Sequence, residues 1–139
     1  MNIVIDTNVL LSALIKDSIT RKIIIQSNLN FYYPDISLHE IQKHKHLVLR
    51  KSGMNENQYK ALLDFLFNHI ILVSEKQIHQ EIKEADKIIG SIDADDVIFL
   101  ACAIALDADI WSDDNHFKKQ NKARVFTTQE FIKKFLKKN

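Results

Sequence analysis

Acidic side chains are concentrated in one part of this sequence. Residues 93–114 contain seven aspartates and neither lysine nor arginine, whereas residues 115–139 contain eight basic side chains and one acid. Because these two blocks cancel, the formal net charge of the 139 residues is only +1. Carboxylates that converge in a folded protein repel one another and raise each other's pKa unless a cation offsets them. The acidic block therefore favours a metal-binding function.

Short apolar runs alternate with helical patterns and predict an α/β fold for the chain that positions these acids. Strands are expected at residues 2–5, 31–33, 70–73, 108–112 and 124–126. One helix is expected after Asp6, one carries Leu38, Ile41, Leu47 and Leu49, and others cover 20–26, 58–69, 75–89 and 97–106. A last helix, capped by Thr127 or Thr128, is expected to run through residues 131–136. Alternating strands and helices predict a mostly parallel sheet of about five strands with both faces covered.

The composition limits the class of protein. With 2 Gly and 1 Pro, the chain lacks the turn residues of an all-β or disordered protein. Its single cysteine, Cys102, excludes a disulfide framework and a multi-cysteine zinc or iron–sulfur site. No apolar run reaches the ~18 residues of a membrane span, and no basic region precedes the first apolar run. We therefore expect a single cytoplasmic domain over residues 1–139 with no membrane partner.

Four separate segments are expected to deliver acids to the same edge of the sheet. Asp6 directly follows the first strand, and Asp113 and Asp114 follow the fourth. Asp96 opens the buried helix that leads into the fourth strand, and Glu40 lies in the first turn of the helix after the second. Ligands of an open parallel sheet bind beyond the carboxyl ends of its strands. The topology therefore predicts a cluster of carboxylates at this edge.

Each acid also has an ordinary structural interpretation. Asp6 is a helix N-cap residue type. Asp93 and Asp96 fit an N-cap followed by a second acid, where each contributes roughly 0.3–1 kcal/mol. The 113–115 segment fits a turn, and Glu40 fits an exposed helix position. Because no single acid decides the question, the predicted convergence of the whole set is what favours a metal.

The residue types select a hard cation. Carboxylates without clustered cysteine or histidine suit Mg²⁺ or Mn²⁺. Mg²⁺ keeps several waters and usually binds a substrate phosphate as well, which points to phosphoryl chemistry. His44 and His46 form a weaker zinc alternative, because helix positions two apart face different ways and no third ligand is evident.

Three motifs and one further acid resemble the PIN domain family. Residues 3–10 (IVIDTNVL) are similar to its opening strand and Asp, and residues 96–103 (DVIFLACA) resemble its third motif, an Asp that opens an Ala-rich helix. Residues 110–117 (IWSDDNHF) resemble its fourth motif, with Ser112 two positions before the family Asp and Phe117 three after it. This alignment makes Asp114 the family acid, and Glu40 resembles the second acid.

Two details depart from the common pattern. The position two after Asp114 is often another acid in the family and is His116 here. Asp93 and Asp95 are additional acids before the third motif, as in a PIN subgroup close to toxin components. Asp93 lies one helical turn before Asp96 and is an added candidate ligand, whereas Asp95 is expected to face away.

The resemblance implies a PIN-like three-layer α/β/α sandwich with the activity of a metal-dependent endoribonuclease. Its catalytic carboxylates, which would hold one or two Mg²⁺ or Mn²⁺ ions, would be Asp6, Glu40, Asp96 and Asp114. Asn8 and Ser112 would orient these carboxylates. Many PIN proteins are toxins inhibited by a cognate antitoxin, and many form homodimers. The resemblance therefore also implies an RNA substrate, an antitoxin partner and a homodimer.

Affinity for RNA must come from basic side chains, because an acidic pocket repels phosphates. The candidates flank the acids in sequence and are Lys43, Lys45, Arg50, Lys118 and Lys119. Their ordinary interpretation is as solvated surface side chains. An alternative function is a non-catalytic RNA-binding or protein-interaction module that keeps the fold. A Mg²⁺-dependent phosphohydrolase or signalling receiver is disfavoured, because such folds usually pair a nucleophilic Asp with a Lys after a later strand and no such Lys is evident.

Overall fold

A five-stranded parallel sheet forms the centre of the protein. The computed structural model describes residues 1–90 and 96–135. The strands are β1 (Asn2–Ile5), β2 (Asn30–Pro34), β3 (Ile70–Val73), β4 (Asp109–Trp111) and β5 (Val125–Phe126). They lie in the order β3-β2-β1-β4-β5, and every neighbouring pair is parallel. The prediction of an α/β fold with a parallel sheet of about five strands is confirmed.

Helices connect the strands and complete a three-layer α/β/α arrangement. They are α1 (Thr7–Ile15), α2 (Ile19–Gln26), α3 (Leu38–Lys43), α4 (Lys45–Ser52), α5 (Glu56–Phe67), α6 (Glu75–Ile89), α7 (Val97–Leu106) and α8 (Thr128–Phe135). Short 3₁₀ helices cover Asp35–Ser37 and Asn115–Lys119. α1 packs against α2 and α4, and α7 packs against α6 and against β1, β2 and β4.

The core follows from the two most apolar segments. In the central strand β1, Ile3, Val4 and Ile5 are fully buried. α7 is the buried helix that its ten apolar residues predict, and Cys102 lies inside it with its pKa raised to about 12 by burial. This thiol is therefore a core residue. None of the helices in the described ranges is long and apolar enough to cross a membrane.

One predicted helix is in fact two. The segment that carries Leu38 and Leu49 breaks at His44, between α3 and α4. The His44 ring donates from Nδ1 to the carbonyl of Glu40 at 2.8 Å, and its backbone N–H bonds the carbonyl of Ile41 instead. Because the imidazole takes the acceptor that the backbone N–H would use in a continuous helix, the helix ends and restarts. The expectation of a single helix was wrong.

Candidate metal centre

The ends of two neighbouring strands bring the first acids together. β1 and β4 are adjacent, and Ile5 pairs with Trp111, so the residues that follow them meet at the carboxyl edge of the sheet. Ser112 donates a hydrogen bond from Oγ to Asp6 Oδ2 at 2.7 Å. The same Oγ accepts from the backbone N–H of Asp114 at 3.0 Å. One buried hydroxyl therefore links the first and fourth motifs.

The carboxyl of Asp6 is buried and costly to ionise. Asp6 occupies the N-cap position of α1, yet its side chain makes no capping hydrogen bond. Burial raises its pKa to about 6; the hydrogen bond from Ser112 opposes this shift, and the negative charges of Asp114 and Glu40 add to it. A bound cation would stabilise such a carboxylate in its charged form. The side chain of Asp6 therefore does not cap α1.

A second group of donors lies beside it. One donor atom from each of Asp96, Asp114 and His116 lies within 4.8 Å of the other two. His116 Nδ1 is 3.6 Å from Asp96 Oδ2 and 3.4 Å from Asp114 Oδ1. Asp96 is buried and makes no capping hydrogen bond to α7, whereas Asp114 and His116 are half-buried. The cluster therefore has a buried floor and a side open to solvent.

Glu40 is held in the same region by a buried network. Thr7, which follows Asp6, donates from Oγ1 to Glu40 Oε1 at 3.2 Å. Its Oγ1 also lies 2.8 Å from the hydroxyl of Tyr33, which in turn donates to the carbonyl of Ser37 at 2.9 Å. The charge of Glu40 is close enough to raise the pKa of Asp6. The hydroxyl of Thr7 thus positions Glu40, and that of Tyr33 contacts Thr7.

The acidic block of the sequence divides between the two edges of the sheet. Asp113 turns toward α8, where its carboxylate accepts from Thr128 N at 2.7 Å and Thr128 Oγ1 at 2.8 Å. Asp109, at the start of β4, accepts two hydrogen bonds from Arg124 at 3.1 and 3.0 Å. Asp107 ends α7 with a left-handed φ of 50°. Within the described part of the block, Asp96 and Asp114 alone reach the site.

The other predicted site residues differ in their placement. Asn8 is exposed and its side chain bonds to no described residue, although its backbone carbonyl accepts from Ser12 Oγ at 3.1 Å. Asp93 and Asp95 lie outside the described residues. Sequence reasoning did not name Thr7, Tyr33 or His116 as site residues. For His116 the signal was present as its departure from the family pattern.

The predicted basic residues are of two kinds. Lys45 lies 3.6 Å from Glu56 Oε1 and over the ring of Tyr59, and Lys118 is paired with Glu130. The other three are exposed and form no ion pair with any residue in the described ranges; they are Lys43, Arg50 and Lys119.

The donor set fits a divalent cation. Carboxylate oxygens come from β1, from the start of α7 and from the end of β4, and one imidazole nitrogen joins them. Oxygen donors suit Mg²⁺ and Mn²⁺, and imidazole suits first-row transition ions. The side chains of the buried Asp6 and Asp96 make no capping hydrogen bonds to the helices that follow them.

Comparison with known proteins identifies the family. The sequence model of the PIN domain family matches residues 4–131, a range that contains every acid of the site. The chain belongs to the PIN domain family. This PIN domain is similar in fold to a solved structure, VapBC2 from Rickettsia felis bound to a DNA fragment from their promoter, with a TM-score of 0.70. The identity is 18%, and the match covers 91% of this chain and 98% of that chain. The curated proteins include no match to the sequence.

Proposed function

We propose that this PIN domain is a metal-dependent endoribonuclease that hydrolyses RNA phosphodiester bonds. The observation that carries the proposal is the meeting of Asp96, Asp114 and His116 within 4.8 Å of one another, beside the buried Asp6. In this proposal Mg²⁺ or Mn²⁺ is held by Asp6, Glu40, Asp96 and Asp114. Family membership supports it, since the match spans all four motifs.

A bound Mg²⁺ or Mn²⁺ would supply the Lewis-acid chemistry of phosphodiester hydrolysis. The residues of the chain would position the ligands of this ion and leave one side of the site open. Ser112 aims the carboxylate of Asp6, and Thr7 aims that of Glu40. The half-buried Asp114 lies at the open side, where a phosphate can enter. Such orienting contacts fix the positions and the basicity of ligands.

RNA would approach across the exposed basic side chains. Lys43 lies one helical turn after Glu40 on α3, and Lys119 belongs to the 3₁₀ helix that begins just after Asp114. Together with Arg50 on α4, they would offset the repulsion between the carboxylates and the phosphates. Lys45 and Lys118, already paired with acids, would contribute less.

Cleavage of a labelled RNA tests this proposal. Wild type with Mn²⁺ or Mg²⁺ is compared with the double variant Asp6→Asn, Asp96→Asn and with the control Asp17→Asn, an exposed acid after α1. We expect cleavage by wild type and control and none by the double variant. Equal cleavage by all three proteins would overturn the carboxylate mechanism. No cleavage, together with no thermal stabilisation by Mn²⁺, would favour a non-catalytic binding module.

We further propose that the protein is the cytoplasmic toxin of a toxin–antitoxin pair and forms a homodimer. The resemblance of the motifs to those of PIN toxins supports this proposal. The similarity in fold to VapBC2, whose structure was solved with a DNA fragment from the VapBC2 promoter, also supports it. A neighbouring reading frame encoding a small DNA-binding protein should relieve growth arrest and co-purify with this chain. Light scattering of the isolated chain tests the dimer.

A further inference from the structure

His116 places a nitrogen atom where the family commonly has an oxygen donor. Its Nδ1 faces Asp114 Oδ1 at 3.4 Å and Asp96 Oδ2 at 3.6 Å. Donor atoms that share one ion lie roughly 3–4 Å apart, because metal–ligand bonds are about 2 Å long. The two distances from the imidazole to the carboxylates fall in this range, and all three donor atoms lie within 4.8 Å of one another.

The local fold holds this ring over the site. The backbone N–H of His116 donates to Asp114 Oδ1 at 2.9 Å. The next residue, Phe117, is fully buried and anchors the 3₁₀ helix Asn115–Lys119 in the core. The side chain of His116 is 40% exposed while that of Asp96 is 9% exposed. The ring therefore lies on the solvent-exposed side of the cluster, and Asp96 lies on its buried side.

We propose that His116 is a nitrogen ligand of the divalent cation and shifts the preference of this domain from Mg²⁺ toward Mn²⁺. This inference rests on the metal site of the proposed function and adds to it a ligand and a selectivity. Mg²⁺ demands oxygen donors and gives up its waters reluctantly. A first-row transition ion accepts imidazole and carboxylate together. One nitrogen donor therefore penalises Mg²⁺ more than Mn²⁺.

Electron spin-echo spectroscopy of bound Mn²⁺ tests the ligand directly, because it detects a coordinated nitrogen through its coupling to the electron spin. Chelator-treated protein is loaded with Mn²⁺, and Mg²⁺ competition gives the ratio of the two dissociation constants. The variants are His116→Asp, which supplies an acid at this position, and His116→Gln. The control is His69→Asp, an exposed residue before β3 at the opposite edge of the sheet. Circular dichroism checks that each variant folds.

We expect nitrogen coupling in wild type and in His69→Asp, and its loss in His116→Asp. The ratio of the Mg²⁺ to the Mn²⁺ dissociation constant should fall roughly tenfold or more in His116→Asp, the size of effect seen for groups that control metal affinity. His116→Gln should weaken Mn²⁺ binding without improving Mg²⁺ binding. These results require a coordinated ring and would not follow from a structural role.

Three outcomes would overturn the inference, and the third is distinguishable from the first two. Mn²⁺ that binds without nitrogen coupling, or coupling that persists in His116→Asp, removes His116 from the ligand set and leaves the proposed nuclease intact. Failure of wild type to bind either ion removes the metal site itself, and the proposed function falls with it.

Discussion

Asp6 is only 5% exposed and follows the central strand β1. The negative charges of Asp114 and Glu40 raise its pKa. Its pKa of about 6, against an ordinary value of 3.8, means that the folded metal-free protein holds a proton there more tightly than the unfolded chain does. The stability that this proton contributes is complete below about pH 4 and is lost as the pH rises through 6. Ionisation of Asp6 therefore lowers the stability of the metal-free protein.

Asp6→Asn should stabilise the metal-free protein at pH 7.5. The variant removes the cost of a buried charge, on the order of 2–3 kcal/mol for a pKa shift of about 2 units, and the amide oxygen can still accept from Ser112. Urea denaturation in chelator at pH 5 and pH 7.5 measures the effect, with Asp17→Asn as the exposed control. Wild type and variant should differ more at pH 7.5. If the unfolding free energies of wild type and variant differ by the same amount at both pH values, the prediction is wrong.

Ser112→Ala should weaken both the site and the fold. The hydroxyl lowers the pKa of Asp6, so its loss raises that pKa further and leaves a buried carboxylate oxygen without its donor. We expect a loss of about 1–3 kcal/mol in unfolding free energy and roughly a ten- to hundredfold weaker binding of Mn²⁺. Calorimetry measures both quantities. Ser112→Thr keeps the hydroxyl and should restore binding; a Thr variant as weak as the Ala variant would argue against this role.

At the scale of elements, a polar clamp attaches α8 to the end of β4. Trp111 Nε1 donates to Thr128 Oγ1 at 2.9 Å, and Thr128 Oγ1 donates to Asp113 Oδ2 at 2.8 Å. The ring of Trp111 also stacks on Phe131 with centroids 4.6 Å apart. Two adjacent acids in the sequence therefore do different work, because Asp113 fixes a helix and Asp114 faces the site.

Asp113→Ala and Asp114→Ala should separate these two roles. Removing Asp113 takes the acceptor from the first amide of α8 and should cost about 1–2 kcal/mol of stability, with Mn²⁺ binding unchanged. Removing Asp114 should abolish binding, and because its Oδ1 accepts the backbone N–H of His116, it should also cost up to about 1 kcal/mol of stability. Chemical denaturation and metal titration on the same samples measure both effects. Loss of binding in Asp113→Ala would show that the assignment of the family acid is wrong.

At the scale of the whole molecule, the parallel sheet sorts charge to its two edges. The carboxyl edge carries the acids of the site, and the amino edge carries Asp109 paired with Arg124. Basic groups of the last block are partly used for such pairs, as Lys122 lies 3.4 Å from Glu84. The positive surface that remains near the site is therefore smaller than the sequence block suggests.

Charge reversal should locate the RNA path. The double variant Lys43→Glu, Arg50→Glu should bind single-stranded RNA several-fold more weakly at low salt. The slope of the logarithm of the binding constant against the logarithm of the salt concentration should also become shallower, by about 0.7 for each phosphate contact that is lost. Lys16→Glu, an exposed lysine at the end of α1 and thus at the amino edge, is the matched control. Fluorescence anisotropy across a salt series measures both. An equal loss in the control would indicate a general charge effect and no defined path.

Local patterns predicted most of the helices and strands, because a buried element needs apolar residues at a regular spacing in the sequence. The ten apolar residues of α7 are an example. The break at His44 escaped prediction, because any histidine fits a helix by pattern. Only the geometry shows that its ring takes the carbonyl of Glu40.

The sequence by itself determined the class of fold, the order of its elements and the presence of carboxylates at several strand ends, since these depend on apolar spacing and on parallel connections. Tertiary structure decided which acids meet. Ser112 and Asp6 are 106 residues apart in the chain and share a hydrogen bond of 2.7 Å, while neighbouring Asp113 turns away to α8. It also brought His116 to Asp96 and set Thr7 against Glu40. Such contacts depend on strand pairing and side-chain direction across long separations, and no local pattern encodes either.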